Sequence, residues 1–373
     1  MERKPLPLFD ISAKHLIAAS GGGWEQIAPM VRDLRLRPRE YLHIVVIGSR
    51  ENLPSSFESA PSIPGLHVLQ IGQSGAFLSY ARTVAGRRLS GEFVVLPTQF
   101  PQIYLLMFVA TRTYWRRALS LLIESLYPKV APPFLTQLEL YELLKQVRTK
   151  HEGDVRVLEL TAKRRPRGES RKRFESIREW TDESVESAFR EARQSNQWFR
   201  SVTFEIVRRD ANGFQSISSQ GIISKYGYFA CNGDFDLYTE VVVNNLIRMG
   251  SSRLEFFRNR DRINTANHTP RPITIDYDGD FLSRVEDIRK LSQALRRFKY
   301  GSCTVLHSNP YFHVSVVDNK DYSTAEVWVL SPRRVLIVPQ VRASEIALKR
   351  LVNHIFENFR EGTISADEKT TRI

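Results

Sequence analysis

The stretch Tyr41-Leu42-His43-Ile44-Val45-Val46-Ile47-Gly48 sets the reading of the first third of the chain. It is short, continuous and rich in β-branched residues, with Gly48 closing it. Runs of this kind belong to interior strands of a sheet covered on both faces. Similar runs recur at residues 65–72 and 92–96, and a further one at 14–19 precedes Ser20-Gly21-Gly22-Gly23. Helical spacing lies between them. Ile27, Met30, Val31 and Leu34 mark one helix, a second starts near Gly75, and a long one covers residues 103–126. Strand runs alternating with helical patterns argue a buried, largely parallel sheet.

Residues 1–127 are therefore expected to form a Rossmann-like α/β domain. Tyr127-Pro128 ends the long helix, because a proline disfavours helix in the residue before it. A helical connector is expected over 128–150. Residues 151–362 read as an α+β domain. Its first strand, 155–161, is followed by a helix ending near Gln194 and by a meander at 201–208, 216–224 and 226–231. A helix at 235–249, edge strands at 253–260 and 272–277, and a helix at 280–298 come next. Strands at 303–307, 311–317, 324–330 and 335–339 lead to a last helix at 344–360. Residues 363–373 lack apolar periodicity and read as a disordered tail. Meander followed by helix thus occurs twice, so an internal duplication pairing residues 228–247 with 335–352 is a candidate.

The chain has 373 residues, 42% hydrophobic and 25% charged, so wholesale disorder is excluded. Only two cysteines, Cys231 and Cys303, occur, which excludes a disulfide scaffold and a Cys-rich zinc module. The first residues, Met-Glu-Arg-Lys-Pro-Leu-Pro-Leu-Phe, hold no apolar core of signal-peptide length. The longest uninterrupted apolar run, 103–110, is far below the ~20 residues of a membrane span. A cytoplasmic protein with no membrane contact is expected.

The net charge is +13, from 54 Lys+Arg against 41 Asp+Glu. Arginine outnumbers lysine 41 to 13, which favours bidentate contacts to phosphate or carboxylate. Lys163-Arg164-Arg165-Pro166-Arg167-Gly168-Glu169-Ser170-Arg171-Lys172-Arg173 holds seven basic residues and one acidic one, a net +6. With Pro166, Gly168 and no apolar residue it reads as a basic arm. Such arms neutralise phosphates and release counterions without reading sequence. Arg258-Asn-Arg260-Asp-Arg262 places arginines at period two. In an extended segment all three guanidinium groups face one side, a second phosphate-binding row or a charged guard on an edge strand.

Two further constellations carry chemistry. In a doubly wound domain, Ser20, Gly21, Gly22 and Gly23 lie at a βα junction where helix N-terminal amides meet phosphate. Ser74, Gly75 and Thr98 come from neighbouring junctions and can join them around a nucleotide. The spacing matches neither Gly-x-Gly-x-x-Gly nor a Walker loop. His307, His313 and Asp321 are the catalytic candidates of the second half. Strand alternation argues against the simplest version, since His313 and Asp318 have opposite parity. No metal site and no obligatory cofactor are expected.

The plan resembles only loosely sensor–effector proteins, in which a Rossmann-like ligand domain joins a domain acting on nucleic acid. That resemblance implies a role in bacterial defence or a mobile-element system. The leading expectation is a non-enzymatic protein that binds DNA or RNA through phosphate contacts. The alternatives are an enzyme acting on a nucleotide or a phosphorylated substrate at the carboxyl edge of the N-terminal sheet, and an assembly subunit binding an acidic protein or a second copy of itself.

Overall fold

The computed structural model describes residues 23–32, 36, 41–58, 63–72, 75–110, 112–150, 154–164, 175–179, 185–194, 197–209, 212–262, 269–308 and 311–366. The chain divides into two compact units, one built on Met1–Lys163 and Glu175–Ser252, the other on Arg164–Phe174 and Arg253–Ile373.

Strand β1, Tyr41–Ser49, lies inside the first unit's sheet. Along it Leu42, Ile44, Val45, Val46 and Ile47 are all at most 2% exposed. Successive side chains of a strand point to opposite faces, so both faces of β1 are covered. On one face Val45 and Ile47 pack in a cluster with Leu106, Phe108, Ala118, Leu119 and Leu122. The last three belong to a continuous helix formed by Arg112–Tyr114, the π-helical Trp115–Leu119 and Ser120–Ser125. On the other face Val46 approaches Gly250 of the helix Asn244–Arg258; a Cβ there would sit 3.2 Å from Val46. Each such aliphatic side chain removed from water contributes about 1.5–3 kcal/mol.

The expected parallel Rossmann-like sheet is not present. β2 (Leu66–Gly72), β3 (Gly75–Val84), β4 (Arg87–Pro97) and β5 (Ile103–Ala110) form a meander whose last strand returns beside β1. β1 also pairs β6 (Val130–Ala131) and β11 (Tyr228–Asn232). Beyond β11 come β10 (Gln215–Ser224), β9 (Gln197–Arg209), β7 (Asp154–Arg164) and β8 (Glu175–Glu179), giving an eleven-stranded sheet. Every described register in it is antiparallel. Two segments expected as helix are strand: residues 75–84, and residues 103–110, which precede the helix instead of opening it. The division expected at residue 127 is crossed by the β1–β11 ladder, which sets Leu42 opposite Cys231.

The second unit's sheet has the order β13-β14-β15-β16-β12-β17. Its strands are β12 (Ile273–Asp276), β13 (Gly301–His307), β14 (Phe312–Asp318), β15 (Thr324–Ser331), β16 (Arg334–Pro339) and β17 (Thr363–Ala366). All its pairings are antiparallel. Residues 363–366, expected in a disordered tail, pair with β12, while 367–373 lie outside the described residues. β12 is therefore not an edge strand. Residues 253–258, expected as strand, end the helix Asn244–Arg258.

One plan recurs in both units: strand, helix, four-stranded meander, helix. In the first it runs β1, Leu53–Glu58, β2 to β5 and the helix ending at Ser125, with order β2-β3-β4-β5-β1. In the second it runs β12, Val285–Arg296, β13 to β16 and Glu345–Asn358, with order β13-β14-β15-β16-β12. The segment topologically equivalent to β16 and its following helix is thus β5 and its helix, not residues 228–247.

Gly221 of β10 marks where packing leaves no room. A Cβ there would lie 2.6 Å from Phe204 and 2.8 Å from the Tyr238 hydroxyl, which donates to the Ala230 carbonyl at 2.6 Å. Overpacking of this kind costs about 1–3 kcal/mol, so Gly221→Ala is expected to lower the melting temperature by about 3–10 °C. Calorimetry that finds the variant melting with the parent would contradict this packing.

Candidate functional site

The basic segment is flanked by a hairpin. β7 and β8 pair with Lys163 opposite Glu175, Ala162 opposite Ser176 and Thr161 opposite Ile177. β8 ends the strand order, so the hairpin is the sheet's edge. Lys163 and Arg164 close β7, while Arg165, Arg167, Arg171, Lys172 and Arg173 lie outside the described residues. The hairpin holds the two ends of the segment together by backbone hydrogen bonds at a sheet margin.

The two histidines do meet. His313 of β14 faces Trp328 of β15 in the ladder, with ring centroids 3.5 Å apart and planes 15° from parallel. His307 stacks on the other side at 6.0 Å. The His313 Nε2 lies 3.3 Å from a Glu326 oxygen, out of line for a hydrogen bond, and the Trp328 indole N–H donates to that same oxygen at 3.3 Å. Asp321 is elsewhere. It accepts from the Ser323 amide (3.0 Å) and the Ser344 hydroxyl (2.5 Å), and Ser344 in turn caps the helix Glu345–Asn358 by accepting from the Ala347 amide. His313 is the second residue of β14 and Asp321 lies past its far end, where Asp318 is already about 16 Å away along an extended strand. Asp321 thus positions a helix, and the three candidates form no catalytic set. Among the described residues no group of three His, Cys, Asp or Glu side chains can hold a metal ion.

The glycine loops lose their premise with the parallel sheet. Ser20, Gly21, Gly22 and Ser74 lie outside the described residues. Gly23 and Gly75 do converge with Thr98 at the end of β4, but at backbone contact. A Cβ on Gly23 would fall 2.8 Å from the Pro97 carbonyl, and one on Gly75 2.4 Å from the Val95 carbonyl. Gly75 has φ +140° and opens β3 of a hairpin, not a helix. The Thr98 hydroxyl donates to the Phe100 and Ile103 carbonyls, closing the β4–β5 turn. Glycine serves here to let chains touch.

The arginine row is likewise not extended. Arg258 ends a helix, 3.7 Å from the buried Glu345 carboxylate. Arg260 is 7% exposed; its guanidinium lies 3.7 Å over the Phe256 ring and donates to the Phe256 and Pro272 carbonyls. Arg262 reaches the Pro339 carbonyl at 3.2 Å. These guanidinium groups act as struts within the second unit.

A group the sequence reading passed over is Lys349, on the apolar side of the last helix one turn from Glu345. Both are buried. Burial, with Arg253 adding to it against the pull of Glu345, brings the Lys349 ammonium down to about 7. The sequence signal was the Glu345–Lys349 spacing of four inside an otherwise apolar helix face.

No protein-family model matches this chain, and neither does any curated protein. Among the described residues no helix is long and apolar enough to cross a membrane. The defence role rested on the Rossmann-like half of the plan, and with an antiparallel sheet in its place that basis is gone.

Lys349 gives a signed pH dependence. Its folded-state value is depressed, so between pH 7 and about 10.5 the unfolded chain binds more protons, and stability from this group rises with pH. The parent should therefore gain stability relative to Lys349→Met as pH goes from 7 to 10, read from denaturant midpoints. A difference that stays flat across that window would show that burial does not act on this ammonium.

Proposed function

We propose that this chain is a cytoplasmic nucleic-acid-binding protein that grips phosphates with the segment Lys163–Arg173. The observation that carries the reading is the net +6 of that segment, set between paired strands at the edge of the first sheet. Outside it, residues 150–373 hold 30 basic and 29 acidic side chains, nearly balanced. A run of like charges with almost no acidic residue inside it is what a phosphate backbone recognises. Arginine-rich content adds bidentate geometry to the attraction. Affinity then comes from counterion release and carries little sequence information.

Changing Arg164, Arg165, Arg167, Arg171 and Arg173 to Ala tests this directly. Binding to a random duplex and to single-stranded RNA is measured by anisotropy across a salt series. Each lost contact lowers the slope of log K against log salt by about 0.9 on duplex and 0.7 on single strands. The parent should bind at least one polymer with a steep slope, and the variant should lose about 4.5 of it on duplex or about 3.5 on single strands. A parent that binds neither polymer at low salt refutes the reading.

A further inference from the structure

A row of flat rings crosses the second unit's sheet and reaches solvent at one margin. Register sets His307 opposite His313, His313 opposite Trp328 and Trp328 opposite Leu336. Residues directly opposite in a ladder share a face, so these four lie side by side across β13, β14, β15 and β16. The other face of the sheet is the packed one: Val316 and Ala325 line a small cavity with Leu348 and Leu351 of the helix Glu345–Asn358. The row is buried or half-buried from Leu336 as far as His313, and exposed at His307. β13 begins the strand order, so the exposed end of the row is the edge of the sheet.

The three rings form a stack. Trp328 and His313 lie 15° from parallel with centroids 3.5 Å apart, and His313 and His307 lie 17° from parallel at 6.0 Å. Flat aromatic faces set this way attract one another. Packing alone does not explain the middle ring. His313 is 7% exposed, and among the described residues neither of its nitrogens has a hydrogen-bond partner. A polar ring buried so costs free energy that a phenyl ring at the same place would not. Tyr311, two residues before His313, and Leu330, two past Trp328, are 63% and 50% exposed and widen the apolar margin.

Charge says what fits there. The carboxylate beside the stack is Glu326, 3.3 Å from the His313 Nε2 and holding the Trp328 indole N–H. A phosphate is repelled by that carboxylate. An uncharged planar heterocycle is not, and its face continues the stack outward from His307.

We infer that this margin of the second sheet is a stacking site for an unpaired nucleobase, with His307 as the platform and Tyr311 beside it. The inference goes beyond the phosphate contacts proposed above and rests on them for the class of polymer. Every base has a flat face, so the site takes unpaired bases without reading sequence. A base inside a duplex is already stacked on both faces and has no free one to offer.

The test compares a single-stranded DNA oligomer with its abasic twin, identical in length and phosphate charge, on the full chain. Stacking contributes a preference of about 5- to 150-fold for the oligomer with bases. His307→Ala with Tyr311→Ala should remove that preference and leave binding to the abasic oligomer as it is. His307→Trp, which restores a flat face, should keep it. Should the double variant melt below the parent, His307→Ala alone is read in its place. A parent that binds both oligomers equally overturns the stacking site and leaves the basic segment standing. A parent that binds neither overturns both, so the two failures are distinguishable. Three further results count against the inference: a preference that survives the alanine variant, one lost in His307→Trp, or weaker binding of the abasic oligomer in step with the other.

Discussion

The whole first unit depends on one strand being dry on both sides. β1 cannot be exposed on either face without stranding Val45 and Ile47 or Ile44 and Val46 in water. Two layers of helix follow, the one ending at Ser125 on one side and the Asn244–Arg258 helix on the other. Strands on both flanks follow too, because the backbone of a buried strand needs its ladder on each edge. β5 fills one flank, and β11, almost 190 residues away in sequence, fills the other. The second unit repeats the strand–helix–meander–helix plan but answers the same need locally: β12 takes β16 on one side and the short β17 on the other.

That double burial is also why the sequence was misleading. An unbroken aliphatic run says that both faces are covered, and parallel sheets are the commonest place for that. Nothing in Tyr41–Ser49 records the direction of its neighbours, so its place as an interior strand was legible and its parallel setting was not. Residues 103–110 read as helix because apolar content continues into the helix beyond with no glycine or proline to separate them. In the second half, β15 alternates half-buried and buried residues over most of its length, and its period of two marked it correctly. The arginines at 258, 260 and 262 carried a period-two signal too. It came from a helix end, where Arg260 closes over its own last carbonyls.

Charge tells a parallel story. The chain's excess of arginine is not one population. Some guanidinium groups are consumed in place: Arg260 on Phe256, Arg334 on Asp276 at 2.7 Å, Arg350 on Asp318 at 3.2 Å. Counting basic residues does not reveal which ones are consumed in this way. Clustering without apolar neighbours singles out 163–173 in the sequence.

The β1–β11 ladder has a consequence for synthesis. When β5 has left the ribosome, β1 is paired on one edge and roughly 120 residues remain to be made before β11 exists. At about 5–20 residues per second that is roughly 6–24 s. For that interval a hydrophobic, uncharged strand edge faces the cell with no Pro or Lys to blunt it. The chain's most vulnerable surface is thus its most buried one, exposed once and only while it is being made.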